Sequence, residues 1–327
     1  MSTRVVVTDC SFPDVVQERQ AAESAGASFE IFQAKSEDDV VEVVGGADVI
    51  VVQFAPFGSH AISAVNPGAT IIRYGVGYDN IDLKAARAAG VTVGYVPDYC
   101  TNEVADHTVA MALAMLRKLP QLDASIRSNR WSAIESTRPV RPLGELTFGF
   151  LGLGQIGKAV LSRIRPFGFS SIVTDPGLTD EEAQRLDVRR VDEDKLLQES
   201  DLLTLHAPAN AKTAGFLNSE RLARMKRNAV VVNSARGQLV VDTDLAEACQ
   251  LGIIGGAALD VFQHEPLPSD SPLRRAPNVM LTPHVAWYSE AAIQRLQGLV
   301  AEDITRILRG EGPRKPVEGW VYHEAAA

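Results

Sequence analysis

Residues Leu146 to Val160 read LTFGFLGLGQIGKAV. Phe148, Phe150 and Leu151 suit a short buried strand, and Gly152, Gly154 and Gly157 follow at the spacing G-x-G-x-x-G. Lys158, Ala159, Val160, Leu161 and Ile164 then continue as a helix. Each glycine has its own task. The first permits the tight strand-to-helix turn, the second lets a pyrophosphate approach the backbone, and the third lets the helix pack closely on the sheet. Unpaired N–H groups at the helix start, around Gln155 and Ile156, attract phosphate charge. A second apolar run, Ser171 to Thr174, ends at Asp175, about twenty residues on, where a carboxylate can accept from a ribose 2′-hydroxyl. Three glycines alone would fit a turn in any α/β protein. Strand, turn, helix, strand and acid in this order predict a dinucleotide site.

The chain has 327 residues, more than one hydrophobic core usually organises, so two domains are expected. A hydrophobic content of 46% and a charged content of 22% describe a soluble globular protein. The net charge of −9 leaves no excess of Lys and Arg to neutralise a nucleic-acid backbone, so no nucleic acid is expected as main partner. A small anion needs only one or two local cations. No apolar run reaches bilayer length and no secretory leader is visible, so neither a membrane span nor export is expected. Cys10, Cys100 and Cys249 are widely spaced, which fits reduced thiols in a cytoplasm better than disulfides or zinc.

Short apolar strands alternate with helices through the first hundred residues: Val5 to Val7, Phe29 to Phe32, Val49 to Val52, Thr70 to Arg73 and Val91 to Val93. Helices are expected over Pro13 to Ala25, over Glu37 to Val44 and from the turn at Gly75 to Asn80 through Ala89. This is the pattern of a small doubly wound parallel sheet, flavodoxin-like in class. Asn102 to Leu119 is a long Ala-, Leu- and Met-rich helix with Thr101 as N-cap, too apolar for one wet face and therefore expected between domains or subunits. Pro120 to Gly144 reads as an extended arm covered by a partner subunit, or as a surface loop. From Thr147 a larger Rossmann unit adds strands at Ile172 to Thr174, Leu202 to Leu205, Ala229 to Asn233, Gly256 to Leu259 and Val279 to Leu281. A last helix, Ser289 to Leu308, returns to the first domain. The expected division is therefore 1–98 and 289–327 for a discontinuous substrate-binding domain, with 99–288 as the inserted NAD-binding domain and 101–144 as its dimerisation helix and arm.

Ligands in such sheets bind outside the carboxyl ends of the strands. The polar residues there are Asp175, His206, Ser234, Arg236, Asp260 and His284. Three residues offer a matched chemistry. Arg236 follows the strand VVVN, Glu265 lies in DVFQHEP, and His284 follows LTP. A cation can hold a keto acid and polarise its carbonyl, a protonated histidine can deliver H⁺ to the developing alkoxide, and a carboxylate can orient and charge that histidine. Singly, Glu265 fits a solvated charge, Arg236 a surface ion pair and His284 a half-buried histidine. His60, His107, His264 and His323 have no such partners; His206 is placed to line a cofactor groove. Asp106-His107 is embedded in a helix and reads as structural. Neither histidines nor cysteines show metal-ligand spacing, so no metal is expected. Ser234 has no His–Asp relay, which disfavours hydrolysis.

The combination of GLGQIG, Asp175, HAPANAKTAGFLN, VVVNSARGQLV, ALDVFQHEP and LTPHVAW resembles the D-isomer-specific 2-hydroxyacid dehydrogenases, and RYGVGYDNIDL and VPDYCTNEVADHTVAMAL extend the likeness over nearly the whole chain. The resemblance implies that Arg236 binds a 2-oxo acid, that His284 is proton donor and acceptor, and that Glu265 supports it. It implies that the backbone N–H groups of Val76 and Gly77 hold the substrate carboxylate, and that the protein is a homodimer. NAD would be lined by His206, Ala207, Pro208 and Thr213, by Ser234, Ala235 and Arg236, and by Asp260, His284, Ala286 and Trp287. HVAWYSEAA and VPDYCTNEVADHT are most similar to the branch that holds the C-terminal-binding-protein corepressors, with Trp287 the telling residue.

The expected activity is NAD-dependent interconversion of a 2-oxo acid and a D-2-hydroxy acid, with His284 as general acid and base. The alternatives are an NAD-sensing binding protein with vestigial turnover, and another member such as a phosphoglycerate dehydrogenase or a glyoxylate/hydroxypyruvate reductase. A formate-oxidising enzyme is disfavoured because a glutamine usually marks that chemistry where Glu265 stands. Asp175, with no Arg beside it, favours NAD over NADP. Phe54, Phe57, Tyr74, Tyr78 and Trp287 are expected to wall an apolar substrate pocket without a phosphate site, although Phe54 equally suits a domain core.

Overall fold

The computed structural model describes residues 3–131 and 133–317; residues 318–327, His323 among them, lie outside this range. The chain separates into two compact units. One is formed by the chain up to Cys100 and again from Ser289, the other by Thr101–Tyr288.

The first unit is built on strands β1 (Arg4–Val7), β2 (Ser28–Ile31), β3 (Val49–Val52), β4 (Thr70–Arg73) and β5 (Thr92–Tyr95). They pair in parallel in the order β2-β1-β3-β4-β5, the flavodoxin-like order. Val5 to Val7 and Val49 to Val52 are fully buried, because helices cover both faces and every position along the strand must then be apolar. The helix Glu37–Val44 starts at a reciprocal cap. Ser36 Oγ accepts from Asp39 N while the Asp39 carboxylate accepts from Ser36 N. The chain's long last helix, Glu290–Leu308, is N-capped by Ser289 and packs on Val16–Ser24. The segment after it is tied to β5, with Tyr95 N donating to Lys315 O at 3.0 Å and Val317 N to Val93 O at 2.9 Å. A short helix, Ser59–Ala64, was not expected from the sequence.

The second unit carries β6 (Thr147–Leu151), β7 (Ser170–Thr174), β8 (Arg189–Arg190), β9 (Leu202–Leu205), β10 (Val230–Asn233), β11 (Gly256–Leu259) and β12 (Val279–Leu281). Their order is β12-β11-β10-β9-β6-β7-β8, all parallel. Counted from β6, this is the Rossmann order with one further strand at the far edge. Alternate residues feed two cores. Leu203, Leu205, Val231 and Leu259 point to one face, while Phe148, Phe150, Leu202, Val230 and Val232 point to the other. The order reverses at β6 and β9, and a sheet of this kind opens its crevice there.

The apolar helix Thr101–Leu116 buries Ala105, Met111, Ala112 and Met115 in the second unit's own core, against the helix Gln155–Ile164 and strands β10 and β11, and leaves Val109, Leu113 and Leu116 partly exposed. One expectation needs correction. The segment read as an extended arm is in part helical, with helices at Leu119–Arg127 and Ala133–Thr137. Lys118 takes a left-handed backbone with φ 57°, which ends the preceding helix, and Pro120 sits in the first turn of the next, where its missing N–H is not needed.

Candidate active site and dinucleotide cradle

Gly152, at φ +86°, ends β6 in a conformation that favours glycine, and a Cβ there would lie 2.8 Å from Ala207 N and 2.9 Å from the His206 carbonyl carbon. The loop after β9 therefore closes on the turn after β6 backbone to backbone. A Cβ on Gly154, by contrast, would meet nothing within 4 Å, so the face that a phosphate would approach is open. Gly154 is the N-cap of Gln155–Ile164, whose first-turn N–H groups have no partner inside the helix. Asp175 follows β7 and braces this turn. Its Oδ2 accepts from Leu153 N at 2.6 Å and its Oδ1 from Gly177 N at 2.7 Å. Each oxygen keeps a lone pair for a ribose hydroxyl. Open space, unpaired donors and a placed carboxylate fit a dinucleotide.

His206 leaves β9 with its ring stacked on Phe150 and its Nε2 3.0 Å from Thr204 Oγ1. Burial pushes its pKa down to about 4, so the imidazole is neutral at ordinary pH. Thr213 Oγ1 donates to Pro208 O at 2.6 Å and accepts from Asn210 N, which closes the turn after Pro208. Ser234 Oγ lies 2.6 Å from Thr108 Oγ1.

Arg236 is carried by a turn that Asn233 fixes. The fully buried Asn233 side chain donates to Arg236 O at 2.8 Å and accepts from Ala235 N at 3.0 Å. At Gly237 a Cβ would fall 1.9 Å from the Phe262 carbonyl, so the Arg236 turn lies directly against the loop that ends in Glu265. Neither Asn233 nor Gly237 was singled out from the sequence. A polar residue ending an otherwise apolar strand was the available signal.

The three candidate residues come together in this unit. His284 Nδ1 is 2.6 Å from Glu265 Oε2, and Glu265 Oε1 accepts from Phe262 N at 2.9 Å. Burial alone would push the Glu265 carboxyl up. The hydrogen bond and charge of His284, the Phe262 N–H and the charge of Arg236 outweigh it and hold the group below the ordinary glutamate value. A carboxylate can only accept, so Nδ1 carries the hydrogen and Nε2 is the atom through which a proton can be exchanged. His284 itself sits at φ 50°, uncommon for a residue other than glycine. Asp260, 1% exposed, anchors the same loop by accepting from Val285 N and Ala286 N, each at 2.9 Å. Trp287 Nε1 donates to His284 O at 2.9 Å. Asp106 and His107 part company, Asp106 pairing with Arg163 at 2.5 Å and His107 reaching Thr282.

In the first unit, Val76 and Gly77 lie in the turn after β4, beside Gly75 at φ 130°. Tyr74 and Phe57 do not belong to a pocket wall. Both rings are in the unit's core, Tyr74 because its hydroxyl donates to the buried Glu18 at 2.6 Å and Phe57 with no exposure at all. Phe54 instead is half exposed, with Arg73 over its ring. Tyr78 packs edge-on against Tyr95. Among the described residues no helix is long and apolar enough to cross a membrane.

A nucleotide cradle on one parallel sheet and an Arg–Glu–His group at its carboxyl edge define a dinucleotide-dependent oxidoreductase in class. The profile of the NAD-binding domain of D-isomer specific 2-hydroxyacid dehydrogenases matches residues 109–286. A D-3-phosphoglycerate dehydrogenase of Methanocaldococcus jannaschii is 36% identical over 310 residues, 94% of this chain but 58% of that protein. A glyoxylate reductase of Korarchaeum cryptofilum is 36% identical over 279 residues, 84% of this chain and 83% of its own length. The crystal structure of a D-lactate dehydrogenase from Aquifex aeolicus, complexed with NAD and lactic acid, superposes with a TM-score of 0.85 at 27% identity, over 94% of this chain and 96% of that one. The chain belongs to the D-isomer-specific 2-hydroxyacid dehydrogenase family, and its second unit is the family's NAD-binding domain. It spans little more than half the length of the M. jannaschii relative.

Proposed function

We propose that the protein reduces a 2-oxo acid to a D-2-hydroxy acid, and runs the reverse, with NAD(H). The observation that carries this reading is the 2.6 Å contact between His284 Nδ1 and Glu265 Oε2 beside the charge of Arg236. Bound NADH supplies the hydride for the substrate's C2. His284 gives the proton from Nε2 as negative charge develops on the carbonyl oxygen, and Glu265 stabilises the protonated ring beforehand. Arg236 polarises the carbonyl and holds the acid, and the N–H groups of Val76 and Gly77 take the carboxylate. Gly152, Gly154, Gln155, Ile156 and Gly157 hold the pyrophosphate, and Asp175 the ribose. His206 to Pro208, Thr213, Ser234, Ala235, Asp260, Ala286 and Trp287 line the remainder of the nucleotide site.

We also propose a homodimer through the helix and arm of residues 101–144, where Leu119, Ile126, Trp131, Ile134 and Val140 expose apolar surface. The test of function follows NADH absorbance with 2-oxo acids bearing aliphatic, aromatic, hydroxyl and phosphate groups. Trp287 supports an apolar side chain, so the bulky apolar acids should show the highest kcat/KM and Trp287→Ala should lower their advantage. Tight NADH binding with no turnover of any acid would replace the enzyme by an NAD-sensing binding protein.

A further inference from the structure

His107 lies on the helix Thr101–Leu116, and its sequence neighbours give it no role. In the fold its Nε2 stands 3.2 Å from Thr282 Oγ1, a contact across 175 positions. Thr282 Oγ1 stands 2.6 Å from Asp260 Oδ1. A hydroxyl has one proton, and the carboxylate claims it over the alternative acceptor, Met111 Sδ at 3.9 Å. The lone pair of Thr282 is thereby turned toward His107, whose Nε2 must donate. Direct pairing of His107 with Asp260 is excluded as a hydrogen bond, since Nε2 and Oδ1 are 3.8 Å apart. The chain of donation runs from His107 through Thr282 to Asp260.

Asp260 is also what holds the loop of His284. Its carboxylate takes Val285 N and Ala286 N, and its backbone oxygen takes His284 N at 2.7 Å. These bonds impose the left-handed backbone of His284, φ 50°, which the loop would not keep unaided. Thr282 begins the same loop, so a hydroxyl turned away from Asp260 would loosen both ends of it.

We propose that His107 is a positioning residue for His284, acting through Thr282 and Asp260 to fix the loop that aims the imidazole. The inference rests on the reading of His284 as acid and base. Its consequence is a loss in turnover larger than any loss in cofactor affinity, since the relay does not touch the glycine-rich cradle although Asp260 and Ala286 line the nucleotide site.

The test measures kcat, KM for the 2-oxo acid and the NADH dissociation constant in wild type, His107→Leu, His107→Gln, Thr282→Val and the His107→Leu/Thr282→Val double variant, with His284→Asn as control. His107→Leu and Thr282→Val should lower kcat about ten- to hundredfold, the scale of a misaimed catalytic group, with a much smaller change in NADH affinity. Glutamine presents an N–H near the position of Nε2, so His107→Gln should recover most of the loss. The double variant should be no worse than the poorer single one, because both break one relay. Wild-type kcat in His107→Leu, no recovery with glutamine, or losses that multiply in the double variant would each overturn the proposal. Should His107→Leu fail to fold, His107→Gln and Thr282→Val decide by the same readings. Wild-type turnover in His284→Asn would overturn the acid–base reading itself, and the relay with it.

Discussion

Glu265 and His284 meet at 2.6 Å from loops that follow different strands, β11 and β12, and each is fixed by its own backbone contacts before they touch. Phe262 N holds the second carboxylate oxygen, and Asp260 holds the histidine loop. The pair is thus set in place before any substrate arrives. Glu265 is held ionised below the ordinary glutamate value, so the charge that favours the imidazolium persists through the acid range.

Replacing that charge should slow reduction. In Glu265→Gln the hydrogen-bond geometry is nearly kept while the negative charge is lost. The ring then hands over its proton without a carboxylate to stabilise it, and kcat for reduction should fall by about tenfold or more. His284→Ala should abolish reduction and leave NADH binding nearly intact. Wild-type kcat in a folded Glu265→Gln variant would show that the pairing has no catalytic consequence.

Asp175 should make the protein an NAD enzyme. A second negative charge on the ribose would face its carboxylate, and like charges brought together cost several kcal/mol, so kcat/KM should favour NADH over NADPH by about tenfold or more. Because Asp175 also accepts from Leu153 N and Gly177 N, Asp175→Ala should narrow that ratio and lower the melting temperature together. Equal use of NADPH by the wild type would refute the assignment.

Gly237 is the tightest point beneath the Arg–Glu–His group. A methyl there would collide with the Phe262 carbonyl and with Gln263 N, at 1.9 Å and 2.6 Å, and backbone on both sides cannot give way cheaply. Gly237→Ala should cost about 3 kcal/mol or more and remove most activity. Denaturant midpoints and kcat measured on the same preparation check this, and a near-native variant would mean the two loops are not rigidly apposed.

The proposed dimer surface is testable through Trp131, which is 93% exposed among other apolar residues. Trp131→Glu should shift the sedimentation coefficient from dimer to monomer, since a charge in an apolar contact loses its water. A wild type that sediments as a monomer would remove the basis for this surface.

Most of both sheets was legible because their strands are short, β-branched and buried on both faces, so that VVV, VIVV, LLTL and VVVN stand out from polar surroundings. The helix Glu37–Val44 was legible to the residue, since Gly45-Gly46 marks its end. Arg189–Arg190 escaped because a two-residue exposed edge strand has no apolar signature. Ser59–Ala64 escaped because six residues give too few turns for a periodicity. Aromatic burial was read wrongly at Phe57 and Tyr74, which are core residues, while Phe54 is half exposed. A ring next to a turn suits a pocket or a core equally until its hydroxyl finds a partner, and Tyr74 finds Glu18. The meeting of His107 with Thr282 was beyond reach, because nothing local announces a contact across 175 positions.

That Tyr74–Glu18 pair yields the last prediction, one of stability rather than catalysis. Glu18 is fully buried on the helix Val16–Ser24, with Oε1 accepting from the Tyr74 hydroxyl at 2.6 Å and Oε2 making no hydrogen bond. Burial raises its pKa above the ordinary value, against the weaker downward pull of Tyr74, so the folded protein prefers the neutral acid. The folded pKa exceeds the unfolded one. The group's contribution to stability is therefore full below the unfolded value and is lost as pH rises through the folded value. Glu18→Gln removes that titration while keeping an oxygen for Tyr74. The melting temperature of the wild type, relative to Glu18→Gln, should fall as pH is raised from the ordinary glutamate range toward neutrality. Tyr74→Phe should destabilise by about 1–3 kcal/mol, since it leaves a buried carboxyl without its donor. A wild-type-minus-variant difference that stays flat with pH would mean that Glu18 is not held as the neutral acid.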